Sequence, residues 1–181
     1  MSLRTVLTYE DYAALPADGR RYELHEGEVS VTPAPSPQHQ ETTGNLFALL
    51  HAHVRRQRIG KLFVAPIDCI LSQTTIVQPD LAYVDVPALS LISERGSEGP
   101  PTLVVEVLSP SSRAIDRGAK AQLYARYHVP HYWIVDPGLR TIDAYQLTAG
   151  QYQPSGRIHG AASAALPPFA DLALAPDAIW P

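Results

Sequence analysis

Apolar positions change period several times along the chain, and each change marks an element. Leu46, Leu50 and Val54, with Phe47 beside them, recur at helical spacing, which predicts a helix over 38–58 ended by Gly60. Upstream, Thr8-Tyr9-Glu10-Asp11 predicts a short helix start with Thr8 as cap and Asp11 reaching back. Residues 21–24 and 28–32 read as strands around the turn His25-Glu26-Gly27, an N-terminal hairpin, followed by an extended proline-rich loop. Strands are then predicted over 62–65, 68–71 and 75–84, with a polar loop over 90–101. The run Leu103-Val104-Val105-Glu106-Val107-Leu108 is apolar except for one glutamate, the signature of a central strand covered on both faces. A helix over 113–127 is expected to bury Ile115, Ala119 and Leu123. Strands over 132–135 and 141–147 follow. From Gln151 the chain is rich in proline and alanine, with one further strand near Tyr152. This order predicts an α/β (α+β) architecture, a mixed β-sheet flanked by helices. The expected division is one domain over 1–181, its core over about 5–150 and a tail over 151–181.

Composition narrows the picture. The chain has 181 residues, 45% of them hydrophobic and 18% charged, which fits one globular domain rather than a disordered chain. A net charge of −4 argues against a strongly basic, sequence-blind nucleic-acid binder. Phosphate contact must come from a local patch, either Arg55, Arg56, Arg58 and Lys61, or Arg113, Arg117, Lys120 and Arg126. Each run also reads as a solvated helix face. Cys69 is the sole cysteine, so no intrachain disulfide forms, and its apolar surroundings suggest a small buried hydrophobe. No apolar run reaches the ~20 residues that span a bilayer, and the N-terminus lacks a signal-peptide pattern. The expectation is a cytoplasmic protein without a membrane segment.

Candidate chemistry starts with Glu106. An unpaired charge in a central strand is costly, so Glu106 needs a metal ion, an Arg or Lys, or a proton. Asp80 follows Pro79, which cannot donate to a strand ladder and marks an edge, a bend or a strand start. If the two strands are neighbours, both carboxylates come within reach of one hard cation such as Mg²⁺. Lys120 falls on the shoulder of the predicted helix face, positioned either to reach this pair or to form an i,i+4 pair with Asp116. Glu23 on the hairpin is a further ligand candidate, directly or through water. His39 opens the long helix, as a phosphate contact or an ordinary first-turn residue. Tyr124 and Tyr127 read as core or rim packing. No Walker loop, Rossmann fingerprint, zinc spacing or nucleophile elbow is present.

Pro79-Asp80 followed by Glu106-Val107-Leu108 on an apolar strand resembles the PD-(D/E)XK, restriction-endonuclease-like superfamily. The longer string Tyr22-Glu23-Leu24, Gly27-Glu28, Gln78-Pro79-Asp80, Val105-Glu106-Val107-Leu108-Ser109-Pro110, Asp116, Lys120, Tyr124 and Tyr132-Trp133-Ile134-Val135-Asp136-Pro137 is similar to the Uma-type family of restriction endonucleases. The resemblance covers about residues 5–150. It implies phosphodiester hydrolysis with Mg²⁺ or Mn²⁺ held by Asp80, Glu106 and the Val107 backbone carbonyl. Two residues after Glu106, the superfamily's lysine position holds Leu108, so the lysine role passes to Lys120 on the following helix. His131 stands where the family more often has Glu.

The resulting expectation is a metal-dependent endonuclease with Asp80, Glu106 and Lys120 as catalytic residues. Glu23 adds a metal ligand, and Asp116, His39 and Tyr124 give support or phosphate contact. Its expected partner is nucleic acid, DNA first, and a homodimer is expected, with Phe169 and Trp180 available to pack on a second subunit. The alternatives are a catalytically silent nuclease-fold adaptor and a structural or regulatory homo-oligomer in which Glu106 merely pairs with Lys120.

Overall fold

The structure, a computed structural model, describes residues 5–109 and 116–181, with Asp116 described by its backbone alone. In chain order the strands and helices are α1 (Tyr9–Ala13), β1 (Arg21–His25), β2 (Glu28–Thr32), α2 (Pro37–Gln57), β3 (Gly60–Val64), β4 (Cys69–Ser72), β5 (Thr75–Val77) and β6 (Leu81–Asp85). A 3₁₀ turn (Val86–Leu91), β7 (Ile92–Ser93), β8 (Gly96–Ser97), β9 (Leu103–Val107), a π-helical turn (Asp116–Lys120) and α3 (Ala121–Arg126) follow. The remainder is β10 (His131–Asp136), β11 (Thr141–Thr148), β12 (Gln151–Ile158), β13 (Ala164–Leu166), β14 (Phe169–Leu174) and a last 3₁₀ turn (Pro176–Ala178).

Two mixed six-stranded sheets form the body. The central sheet has the order β12-β11-β10-β9-β6-β3, with β9 and β10 parallel and the other pairs antiparallel. The outer sheet has the order β2-β1-β5-β4-β8-β7 and incorporates the predicted hairpin. Alternation along β9 decides where the chemistry goes. Leu103, Val105 and Val107 join the core under α2, which contributes Leu46, Leu50 and Val54. Val104 joins the opposite core with Leu123 and Tyr124 of α3. Glu106 shares the parity of Val104, so its carboxylate points to the α3 side. The mixed sheet flanked by helices is thus observed.

Four local expectations are corrected. The strand expected over 75–84 is two strands in two sheets, because Pro79 has no N–H for a ladder and Gln78-Pro79-Asp80 carries the chain from β5 across to β6. Gly60 does not end α2. Arg58 does, in the left-handed conformation at φ 57°, with its N–H on the Val54 carbonyl. Gly60 instead opens β3 at φ 153°, where a Cβ would lie 2.1 Å from the Val84 carbonyl oxygen. Ala119 is exposed rather than buried, and Lys120 is buried. The π turn is the reason, since it winds wider than an α-helix and rotates the face presented to the sheet. Arg113 and Ile115 lie outside the described residues.

The last correction concerns the C-terminal segment. Leu166, Phe169, Leu174 and Ile179 are all buried in the core under α2. Phe169 packs against Tyr83 and Trp133 of its own chain, with ring centroids 4.9 and 6.0 Å apart. It is therefore unavailable to a second subunit. Prolines that suggested a tail sit in turns and strand ends between these anchors. Cys69 is fully buried, as expected. Among the described residues no helix is long and apolar enough to cross a membrane.

Candidate active site

Four separate elements deliver charged side chains to one cavity of about 380 Å³. β1 contributes Arg21, Glu23 and His25, which alternate with Tyr22 and Leu24 and so share a face. The β5–β6 crossing contributes Asp80, β9 contributes Glu106, and the π turn contributes Lys120. The cavity's other wall is the loop after β2, where Pro33, Ala34 and Pro35 face these charges.

Asp80 is held from two sides. Its Oδ2 accepts the Val107 N–H at 2.8 Å and a bond from His39 Nε2 at 3.1 Å. Arg21 Nη1 lies 3.6 Å from Oδ1. His39 occupies the first turn of α2, where Ser36 caps the helix by accepting the His39 N–H. Thr43 donates its hydroxyl to the His39 carbonyl one turn on, at 2.7 Å. The helix start therefore aims the imidazole at the carboxylate.

Glu106 and Glu23 meet at Lys120. Its ammonium donates to Glu106 Oε1 at 3.0 Å and lies 3.4 Å from both oxygens of Glu23. The Tyr124 hydroxyl donates to the same Glu106 oxygen at 2.6 Å, a short charge-assisted bond. Glu23 also accepts the Gln78 N–H at 2.7 Å on Oε1 and faces His25 Nε2 at 3.2 Å on Oε2.

Burial pushes the Glu23 carboxyl upward, but the Lys120 charge with the bonds from His25 and the Gln78 N–H outweighs it and holds the pKa at about 2. Burial likewise works against Asp80. The His39 bond and charge, the Val107 N–H and Arg21 still hold it below the ordinary carboxylate range. Both groups are ionised at neutral pH. The Tyr124 phenol is pushed far up, first by burial and then by the Glu106 charge, so it stays a hydrogen-bond donor.

The structure thus brings together Glu23, His39, Asp80, Glu106, Lys120 and Tyr124, with Val107 as a backbone partner. The Asp116 side chain lies outside the described residues. His131 pairs with Leu103, three positions along β9 from Glu106, and is not in the cavity wall. Tyr127 bonds to Ser72 and Thr75 instead. Sequence reasoning missed Arg21, His25 and Gln78. The i, i+2 spacing of Arg21, Glu23 and His25 was the available signal. Gln78 gave none, because it acts through its backbone: its N–H holds Glu23 and its carbonyl accepts from Arg21.

Among the described residues, no three His, Cys, Asp or Glu side chains already stand as a metal-ligating group. Chemically, three buried carboxylates, two of them on one lysine, repel an anion by themselves and suit an anionic, oxygen-rich substrate only together with a cation.

The mixed sheet presents these acids beside a lysine. Comparison with known proteins shows the family and the fold. The chain belongs to the Uma2 family, described as "Putative restriction endonuclease", whose model matches residues 9–177. Among solved structures it is similar to one from Anabaena variabilis, described as "a putative nuclease belonging to DUF820". That match has a TM-score of 0.77 at 20% identity and covers 96% of this chain and 97% of the other, a likeness of fold. No curated protein matches the chain.

Proposed function

We propose that this chain is a divalent-metal-dependent endonuclease that hydrolyses phosphodiester bonds of nucleic acid, DNA in the first instance. The observation that carries the reading is the convergence of Glu23, Asp80, Glu106 and Lys120, all buried, on one cavity. Membership of a restriction-endonuclease family supports it.

The donor set is all oxygen and hard, which fits Mg²⁺ or Mn²⁺ rather than zinc or copper. Asp80, Glu106, Glu23 and the Val107 carbonyl are the groups that would hold the ion. When bound, it would supply Lewis-acid polarisation of the phosphodiester and a water of lowered pKa. The chain's own residues do the rest. Lys120 sets a positive charge where charge builds on the phosphoryl oxygens. Tyr124 fixes the rotamer of Glu106 by its short bond. His39 and Arg21 orient Asp80, and Arg21 offers N–H donors to a substrate phosphate.

Supercoiled-plasmid nicking with Mg²⁺ and with Mn²⁺ tests the reading, wild type against Asp80→Ala and Glu106→Ala. Metal-dependent nicking that both variants lose is the expected result. Nicking that survives in both variants would remove these residues from the site.

One observation favours a second reading. Lys120 already pairs with both Glu23 and Glu106, and no preformed three-ligand group is present among the described residues. A catalytically silent adaptor with the nuclease fold would look the same. Calorimetric titration with Mn²⁺ separates the two, since only the enzyme reading requires binding that Asp80→Ala abolishes.

A further inference from the structure

The described arginines and lysines fall into two groups, apart from Arg140, which donates to a Pro181 oxygen. Arg20, Arg21, Arg95, Arg117, Lys120, Arg126 and Arg157 each lie in an ion pair with a carboxylate. Arg55, Arg56, Arg58 and Lys61 have no such pair among the described residues, and all four are exposed. They fall within the seven positions 55–61, where α2 ends and β3 begins, so their charges add at one place on a protein whose net charge is −4. Asp171 is turned to Gln57 and His53, and Asp85, which lies opposite Gly60, accepts the Ala88 N–H. Four like charges held together without counter-charges repel one another, a cost that a polyanion removes.

Their position relative to the cavity is fixed by α2. His39 stands in its first turn and Arg55 in its last. Sixteen residues at about 1.5 Å rise separate them by about 24 Å. The exposed face of α2, turned away from His39, carries Gly44, Ala48 and Ala52, which are small and uncharged. Along one strand of duplex, about 24 Å is about seven nucleotides.

We propose that Arg55, Arg56, Arg58 and Lys61 form a remote docking surface for the phosphate backbone of the nucleic acid, bound at the far end of α2 while another segment enters the cavity. This rests on the nuclease reading for the identity of the partner. The patch supplies the electrostatic attraction that an acidic protein otherwise lacks, without sequence readout, since only phosphates are met.

The test is fluorescence anisotropy in EDTA over a series of KCl concentrations, with the full chain and its R55Q/R56Q/R58N/K61Q variant. Asn at 58 suits the left-handed cap. Matched melting temperatures confirm the fold, and R55Q/R56Q serves if the quadruple variant does not fold. For a duplex of about 30 base pairs the variant is expected to bind about tenfold weaker or worse, with a salt slope smaller by about 3. Hydrolysis of bis(p-nitrophenyl) phosphate with Mn²⁺ is expected to be unchanged. Equal affinity and slope for the duplex overturns the proposal. Loss of binding to phosphatidylserine vesicles with intact duplex binding also overturns it and assigns the patch to anionic lipid. If wild type hydrolyses no phosphodiester at all, the nuclease reading fails while the binding data still decide the patch.

Discussion

Asp80 accepts the backbone N–H of Val107 at 2.8 Å, and this bond ties the β5–β6 crossing to the residue next to Glu106. It makes Asp80 both a candidate ligand and the acceptor for a buried strand-end amide. The two roles separate by substitution. Asp80→Asn keeps an acceptor for Val107 and is expected to keep the melting temperature within a few degrees while abolishing metal-dependent cleavage. Asp80→Ala orphans the amide and is expected to cost about 1–3 kcal/mol in urea denaturation. Equal stability of the two variants would show that the Val107 bond contributes nothing.

Lys120 is the only ammonium within reach of both Glu23 and Glu106 among the described residues. Lys120→Met leaves these two acids together without it, and a loss of about 3–5 kcal/mol is expected. Mn²⁺ is then expected to raise the variant's melting temperature by more than it raises the wild type's, because the ion replaces the missing charge. A smaller rise in the variant would contradict the placement of Glu23 and Glu106 as ligands.

Phe169 fills the space between Tyr83 and Trp133 under α2. Phe169→Ala is expected to destabilise by about 3–5 kcal/mol in urea melts. A loss below about 1 kcal/mol would show the C-terminal strands to be peripheral to the core.

The Tyr83 hydroxyl donates to the Ile59 carbonyl at 2.8 Å, and its pKa is pushed up to about 12, by burial first and by the Asp85 charge second. The unfolded phenol titrates near 10. Below about pH 10 both states keep the proton, and the stabilisation is complete. As pH rises from about 10 toward 12 only the unfolded chain gives the proton up, so stability falls over that window. Tyr83→Phe is expected to flatten this fall in urea midpoints measured at stepped pH. An unchanged slope would assign alkaline sensitivity to other groups.

Much of the site was readable before the fold. Glu106 betrayed itself as one charge in an apolar strand, and Pro79 as a residue no ladder accepts. Their meeting at one cavity required only that β6 and β9 be neighbours. The location of Lys120 was readable but its stated reason was not. An α-helical wheel placed it beside Ala119 on the buried side, whereas a π turn buries Lys120 and exposes Ala119. Gln78 was invisible because backbone groups carry its role, and its partner Glu23 lies 55 positions away. The C-terminal strands were hidden for a different reason. Isolated Leu166, Phe169, Leu174 and Ile179 among prolines and alanines show neither period two nor period 3.6, and only the groove beneath α2 gives them a common destination.

The crossing at Gln78-Pro79-Asp80 has a mechanical consequence. Glu23 rides on the outer sheet and Glu106 on the central one, and Lys120 touches both. The separation of the two acids is therefore set by how the sheets align, and a slip of one sheet along the other by a single residue, about 3.3 Å, would exceed the reach of that ammonium. The proposed centre works as a vernier between two sliding plates: it reads true at one alignment only, and the short rigid proline link holds the plates at that mark.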